Sequence, residues 1–193
     1  MWPILLGYLA GSVPFAFLLA RRAGIDVRVA GSGNVGAANV MRTTGTRRAI
    51  LVMALDVAKG ALAVVLASVV VHAGVTLTAL AAAAAVVGHI YPVWLRFHGG
   101  KGVAVAAGVF AVLTPIATAL AAALFLVIVA LTRYISLGSI AATVALPPAA
   151  WVTGEPVAVV FAAAGSGALI LFRHRGNIRR LREGTERRMG VRA

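Results

Sequence analysis

The sequence predicts an all-α, polytopic integral membrane protein. Of its 193 residues, 61% are hydrophobic and only 12% are charged, whereas a soluble domain carries about 25% charged residues. The mean hydropathy is +0.97, and long apolar segments alternate with short segments that hold the basic residues. Because one small core cannot remove so much apolar surface from water, we expect residues 1–193 to form a single membrane-embedded domain.

The distribution of basic residues predicts the topology. Apart from Lys59, every Lys and Arg lies in one of four segments: 21–48, 96–101, 133–136 and 173–193. The turns between the other apolar segments, near 72–76, 114–116 and 152–156, contain none. Because cytoplasmic loops carry the excess of Lys and Arg, we expect seven transmembrane helices, some of them short, with the N-terminus outside and the C-terminus in the cytoplasm. Five crossings plus a re-entrant hairpin is the alternative.

The first three apolar segments each have the length of one span. Residues 2–20 are followed by two arginines, the reverse of the charge order in a signal peptide, so we expect a retained span. Pro14 removes a backbone donor, and we expect the helix to break there. Residues 49–71 and 77–95 supply the next two spans.

The second half is expected to hold two pairs of spans. Residues 103–132 are too long for one span and short for two, with Pro115 in the middle and basic residues on both sides. Such a segment must enter the membrane and return, as two short tilted spans or as a re-entrant hairpin. Residues 137–172 repeat this pattern around the turn at 153–156.

The net charge of +13 needs no nucleic-acid partner, although a soluble protein with this charge would suggest one. The positive-inside pattern accounts for it. The chain has no cysteine, which excludes thiolate metal sites and a cysteine nucleophile. No cluster of metal-ligating residues is evident, so we expect neither a metal nor a cofactor.

The first group of candidate site residues is the glycine-rich segment Gly31–Asn39, followed by Arg42. Glycines free the backbone N–H groups to hold an anion. Neutral donors and the guanidinium fork of Arg42 suit a phosphate. The candidates for phosphate binding here are Ser32, Gly33, Asn34, Asn39 and Arg42. An ordinary flexible loop is the alternative.

The second group is a charged pair within an apolar helix. Asp56 and Lys59 are three residues apart and therefore share a helix face. Ionisable groups inside a membrane usually pair with each other and usually serve a function. We expect the pair to support the site without touching substrate, and a purely structural pair is the alternative. His89, at the end of the next span, is a further candidate supporting residue.

The third group is the segment Gly99–Gly102, which places a lysine among glycines. It is not a Walker A loop, because Leu95 and Gly102 occupy the positions where that motif has Gly and Ser or Thr. The segment leads into an apolar helix, whose N-terminus attracts anions. We expect Gly100, Lys101 and Gly102 to bind a phosphate.

The last groups lie in the other basic segments. Ser139 lies in a short corner after Arg133, where a helix-capping role is the alternative. In the tail, basic residues commonly bind anionic lipid, but this does not account for His174, Asn177 and Glu186.

Together these motifs resemble the bacterial acyl-phosphate:glycerol-3-phosphate acyltransferase family. The resemblance covers essentially the whole chain and rests on motifs that occur together and in order: GSGNVGAAN from Gly31, DVAKG from Asp56, GHIYP from Gly88, FHGGKGVA from Phe97 and HRGNIRRLREGTE from His174. It implies a seven-helix enzyme of the bacterial cytoplasmic membrane with its site facing the cytoplasm. The enzyme would move a fatty acyl group from acyl phosphate to the sn-1 hydroxyl of glycerol 3-phosphate, giving lysophosphatidate and inorganic phosphate.

The resemblance also implies roles for individual residues. The catalytic candidates are Ser32, Lys101, His174 and Asn177. Those expected to bind substrate also include Ser139 and Arg42, while Glu186 would support the tail. Ala38 stands where the family often has Thr, and His98 replaces a common Lys, so one hydroxyl contact and one basic contact are in doubt.

The partners implied are glycerol 3-phosphate, acyl phosphate and membrane lipids, with the protein a monomer. An acyl phosphate is already activated, so no covalent nucleophile is needed, and the substrate phosphate or His174 could accept the hydroxyl proton. A transporter or flippase for a phosphorylated small molecule or lipid is the alternative function. A transporter's site should lie near the bilayer midplane, whereas these motifs lie at one face.

Overall fold

The computed structural model describes residues 1–190, and within that part of the chain it contains helices and no strand. Ten α-helices follow one another: α1 (Trp2–Ser12), α2 (Phe15–Arg21), α3 (Ala37–Thr44), α4 (Thr46–Val65), α5 (Val75–Ile90), α6 (Val103–Leu113), α7 (Pro115–Thr132), α8 (Ile135–Val152), α9 (Val157–Arg173) and α10 (Arg175–Arg182). A π-helical turn, Leu66–Val70, extends α4, and a 3₁₀ turn, Val93–Leu95, follows α5. The prediction of an all-helical protein is confirmed.

The helices form two compact units, Met1–Leu113 and the residues from Thr114 onward. In the first unit α1 packs against α5, and α4 packs against both α6 and α3. In the second unit α8 packs between α7 and α9, and α10 contacts both α8 and α9. That the whole chain acts as a single domain stays a prediction.

Five helical segments are long and apolar enough to cross a membrane: Trp2–Arg21, Thr46–Val70, Val75–Leu95, Pro115–Thr132 and Ile135–Val152. A sixth is possible if α9 and α10, bent by 57° to each other, count as one span. An 18-residue helix is about 27 Å long, close to the ~30 Å of a bilayer core. Several helices that are long and apolar enough to span a membrane are therefore confirmed, while the count of seven and the orientation stay predictions.

The predicted breaks occur where proline was expected to cause them. α1 ends at Ser12, Val13 is extended, and α2 begins after Pro14. The segment 103–132 divides at Thr114 into α6, of 11 residues, and α7, of 18 residues. Pro115 begins α7, a position where its missing N–H has no cost. The two helices are unequal, so only α7 has the full length of a span.

The polar segment 21–48 contains one helix that the sequence analysis did not predict. α3 begins after Gly36, which is extended, and it buries Val40 completely. Val40 belongs to an apolar cluster with Val27, Val35 and Val52. Burial of apolar side chains therefore folds this segment onto α4, although its composition is polar.

Glycines allow the helices of the first unit to approach closely. Gly7 and Gly11 are four residues apart on α1, and a Cβ at either would overlap backbone atoms of α5, at Ala81 and Ala85 respectively. Gly60 of α4 and Gly108 of α6 have the same relation to the facing helix backbones. Small residues at such spacing are the usual device for packing helices in membranes.

Replacing Gly11 with Ala should destabilise the protein. The added Cβ would force the backbones of α1 and α5 apart, and overpacking of this kind costs about 1–3 kcal/mol. Thermal unfolding of the purified protein should show a lowered Tm. Gly165→Ala is the matched control, because nothing lies within 4 Å of a Cβ at Gly165. Equal Tm values for the two variants would contradict the close packing.

Candidate active site

The glycine-rich loop before α3 is held by the side chain of Asn39. This side chain is fully buried, and its Nδ2 donates to the carbonyls of Val27 and Ala30 at 2.9 and 3.0 Å. Its Oδ1 accepts the backbone N–H of Ser32 at 2.8 Å. The loop is therefore a fixed structure. Because both amide hydrogens of Asn39 are used inside the loop, the geometry assigns this residue to loop formation.

The remaining candidates of this loop face outward. Ser32 and Gly33 are exposed, Asn34 is half-buried, and Arg42 is exposed in the last turn of α3. Gly31 and Gly33 have φ of +63° and +71°, values that favour glycine. Exposed donors on a rigid backbone suit an anion that arrives from outside the fold. Their role in phosphate binding stays a prediction.

Lys101 lies directly before a helix, as expected. It is half-buried, and α6 begins at Val103 after Gly102, whose φ is +91°. The preceding Gly99 and Gly100 donate their N–H groups to the carbonyls of Ile90 and His89, at 3.0 and 3.1 Å. These two glycines therefore join the Lys101 segment to the end of α5.

The close fit at Gly100 explains why glycine stands there. A Cβ at this position would overlap the imidazole of His89 and the carbonyl of Val35. Both of these groups belong to the first unit, at the end of α5 and in the loop before α3. Gly100 is thus a packing position whose own N–H is already bonded, and phosphate binding by this residue stays a prediction.

The pair Asp56–Lys59 forms a buried ion pair with Nζ–Oδ1 of 2.7 Å. Nζ of Lys59 also donates to the carbonyl of Val13 at 2.7 Å and lies 3.0 Å from Nδ1 of His89. That imidazole nitrogen is 3.7 Å from Oδ1 of Asp56. Asp56, Lys59 and His89, all predicted as supporting residues, therefore form one cluster, which lines a small pocket with Gly99 and Gly100.

In the second unit, the carboxylate of Glu186 organises the tail. Oε1 accepts from Oγ of Ser136 and Nδ2 of Asn177, each at 2.7 Å, and Oε2 accepts from Nε of Arg180 at 2.7 Å. Burial raises the pKa of Glu186, but the three donors outweigh it and leave the pKa below its ordinary value. Glu186 therefore fixes the side chain of Asn177.

The other candidates of the second unit are also buried. Nδ1 of His174 lies 2.8 Å from the carbonyl of Ile170, and because a carbonyl only accepts, this nitrogen carries the hydrogen. Nε2 is then the nitrogen that can exchange a proton. Oγ of Ser139 donates to the carbonyl of Ile135 at 2.9 Å, which leaves the oxygen able to accept.

Several hydrogen-bonding groups were not among the candidate site residues named from the sequence. Ser136 and Arg180, which complete the Glu186 cluster, are two of them. Nε1 of Trp94 donates to Oγ of Ser12 at 2.9 Å, and the Val13 carbonyl accepts a hydrogen bond from Nζ of Lys59. The Ser and Arg side chains occur in segments already identified as polar. The role of the Val13 backbone carbonyl could not be predicted from a side chain, and the only indication in the sequence is the neighbouring Pro14.

Comparison with known protein families shows the family to which the chain belongs. A family model described as glycerol-3-phosphate acyltransferase matches residues 1–184. The chain belongs to the glycerol-3-phosphate acyltransferase family. The glycerol-3-phosphate acyltransferase of Myxococcus xanthus is 48% identical over 186 residues, covering 96% of this chain and 97% of the relative. That of Rubrobacter xylanophilus is 46% identical over 190 residues, covering 98% and 95%.

Solved structures of this acyltransferase family have the same fold. Crystal structures of PlsY (YgiH), an integral membrane glycerol 3-phosphate acyltransferase, match in a glycerol 3-phosphate form and in a lysophosphatidic acid form, with TM-scores of 0.93 and 0.91. The identities are 41% and 40%, and each match covers 98% of this chain and 94% of the other. The resemblance inferred from the motifs is confirmed, and the transporter alternative is set aside.

The Glu186 cluster makes stability depend on acidic pH. Because the pKa of Glu186 is lowered in the folded state, its stabilising effect is complete above the ordinary pKa of 4.5 and is lost as the pH falls through the folded value. We expect the Tm of Glu186→Gln to be lower than that of the wild type near neutral pH and to vary less below pH 4.5.

Glu183→Gln is the matched control, because Glu183 is exposed and lies 4.0 Å from Arg179. Thermal unfolding of the three proteins across this pH range is the measurement. Parallel curves for the wild type and Glu186→Gln would show that the carboxylate does not have the assigned role.

Proposed function

We propose that this acyltransferase uses acyl phosphate as its donor and transfers the acyl group to the sn-1 hydroxyl of glycerol 3-phosphate. The products would be lysophosphatidate and inorganic phosphate, the first step of phospholipid synthesis. The family match over residues 1–184 supports glycerol 3-phosphate as the acceptor and acyl transfer as the type of reaction. The donor is proposed from the chemistry of the candidate residues.

Acyl phosphate suits a chain with this set of side chains. It is a mixed anhydride, so its carbonyl can be attacked directly by the acceptor hydroxyl without a covalent intermediate on the enzyme. The chain has no cysteine, and its candidate residues are donors and cations. Such groups hold two phosphates close together and stabilise the oxyanion that forms during attack.

In the first unit, we assign phosphate binding to Lys101 and Arg42. Lys101 lies at the N-terminus of α6, where orphan N–H groups add to its positive charge. Arg42 offers a planar fork matched to phosphate oxygens. Ser32, Gly33 and Asn34 would orient the anion, with Gly102 giving the turn that leads into α6.

In the second unit, we assign substrate contacts to Ser139, His174 and Asn177. All three side chains are buried, so each can act in an environment that excludes bulk water. The acceptor hydroxyl must lose a proton as the C–O bond forms and the carbon–phosphate-oxygen bond breaks. We propose that the departing phosphate takes this proton, with Nε2 of His174 as the second candidate.

The finer topology is also a proposal. Seven crossings would require α6 and α9 to count as spans alongside the five long segments. The distribution of Lys and Arg supports an outside N-terminus, a cytoplasmic C-terminus and a site that faces the cytoplasm. We further propose that the protein acts as a monomer in the bacterial plasma membrane.

The donor assignment can be tested with purified protein. Given glycerol 3-phosphate and either palmitoyl phosphate or palmitoyl-CoA, the enzyme should form lysophosphatidate from palmitoyl phosphate alone. Product formation followed by mass spectrometry is the measurement. Equal rates with both donors would contradict a site built for two phosphates.

Lys101→Ala should reduce turnover at least about 100-fold, because removing a group that stabilises developing charge typically has this effect. Its Tm should stay near that of the wild type, since Lys101 is only half-buried. Arg47→Ala, which removes an exposed cation in the first turn of α4, is the control and should keep full activity. Near-normal turnover in Lys101→Ala would overturn the assignment.

A further inference from the structure

We propose that Lys59 is a positioning residue for Lys101 and acts through His89. Its ammonium group fixes the imidazole of His89, and the imidazole together with the His89 carbonyl fixes Gly100, the residue that precedes Lys101. The inference rests on the phosphate-binding role proposed for Lys101. It gives a positioning role to the buried cluster of Asp56, Lys59 and His89, which takes part in no catalytic step.

The hydrogen bonds of Lys59 determine the tautomer of His89. An ammonium group has three hydrogens and no acceptor. Nζ of Lys59 lies 2.7 Å from the Val13 carbonyl and 3.0 Å from Nδ1 of His89, and it is ion-paired with Oδ1 of Asp56 at 2.7 Å. Nδ1 of His89 must therefore accept, which places the ring hydrogen on Nε2. The ring is neutral and can be held in one orientation.

The Nε2 edge of this ring lies against Gly100. A Cβ at Gly100 would contact Nε2 and Cε1 of His89, so the ring and the glycine backbone are packed with no space between them. The carbonyl of His89 accepts the N–H of Gly100 at 3.1 Å. Residue 89 thus contacts the Lys101 segment with both its side chain and its backbone.

Gly100 also packs against a second candidate segment, the glycine-rich loop before α3. The carbonyl of Val35, in the loop before α3, also lies where a Cβ of Gly100 would be. A shift of the His89 ring would therefore displace Gly100 relative to the loop that carries Ser32 and Asn34. Misplacing a reacting group by about 1 Å can cost ~100-fold in rate.

A purely structural role is the competing explanation. At the break after Ser12 the Val13 carbonyl accepts the N–H of Phe15 at 3.1 Å, and Nζ of Lys59 gives it a second donor at 2.7 Å. Such a role would account for the bonds to Val13 and Asp56, but it does not need the third bond to His89. The two explanations differ in whether Lys59 and Lys101 act on the same step.

A double-mutant cycle distinguishes them. Asp56→Leu with Lys59→Met removes both charges together, so that no unpaired charge is left buried. Lys101→Arg keeps the charge of Lys101 but changes its reach. We expect each change alone to lower kcat/KM about tenfold or more. The kcat/KM of the combined variant should be no lower than that of the less active of the two separate variants. Such non-additivity is the mark of groups that act on one another.

Kinetics are measured on purified protein, with Tm recorded for every variant. Tyr8→Phe is the matched control, because it removes a single hydrogen bond, from the Tyr8 hydroxyl to the Tyr91 carbonyl, that also ties α1 to the end of α5. It should lower Tm and leave kcat/KM unchanged. If Asp56→Leu/Lys59→Met is not recovered folded, the same cycle is run with His89→Asn, which keeps an acceptor near Nδ1 and removes the Nε2 edge.

Losses that multiply in the combined variant would overturn the proposal, as would unchanged kcat/KM in Asp56→Leu/Lys59→Met. A loss in that variant with no effect of Lys101→Arg would show that the cluster does not act through Lys101. Failure of the proposed function is a separate result, because it appears as equal rates with palmitoyl phosphate and palmitoyl-CoA, and failure of the Lys101 assignment appears as normal turnover in Lys101→Ala, whatever the cycle gives.

Discussion

The ammonium group of Lys59 is the interaction on which the first unit depends most. A charge buried in an apolar helix must be paired and fully hydrogen-bonded, or the fold pays the cost of its desolvation. Lys59 has an ion-pair partner on its own helix, and hydrogen-bond partners at the break after α1 and at the end of α5. The pairing of one charge therefore joins three parts of the unit at a single point.

The second unit has a buried charge of the opposite sign, satisfied in the same way. Glu186 accepts three hydrogen bonds, from α8 through Ser136 and from α10 through Asn177 and Arg180. In both units the charge touches a candidate residue, His89 in one and Asn177 in the other. The group that holds the backbone in the first unit thus also orients His89, a supporting residue, and in the second unit it orients Asn177, which is proposed to meet substrate.

The membrane frame was predictable because its signals are local. Hydropathy located the long helices, Pro14 located the break in the first span, and glycines followed by an apolar run located the helix after Lys101. These features depend on residues near one another in the chain. The motifs also gave the family, since several short segments had to occur together and in order.

The direction of individual side chains was not predictable from the sequence. Asn39 was expected to bind phosphate, and its amide hydrogens are used to hold the loop, so that phosphate binding by this residue stays a prediction. The partner of Lys59 at Val13 is a backbone carbonyl, which has no side-chain signal. The N–H of Gly100, a residue expected to bind phosphate, donates to the His89 carbonyl at the end of α5, and phosphate binding by Gly100 stays a prediction. In each case a contact to a residue outside the motif decides what a local motif does.

The central claim is that this chain transfers an acyl group from one phosphate-bearing substrate to another. Phosphate release by the purified protein supplied with palmitoyl phosphate tests it most directly. Release should be slow alone, should rise strongly when glycerol 3-phosphate is added, and should match lysophosphatidate formation one for one. Release at the same rate without the acceptor would contradict the account.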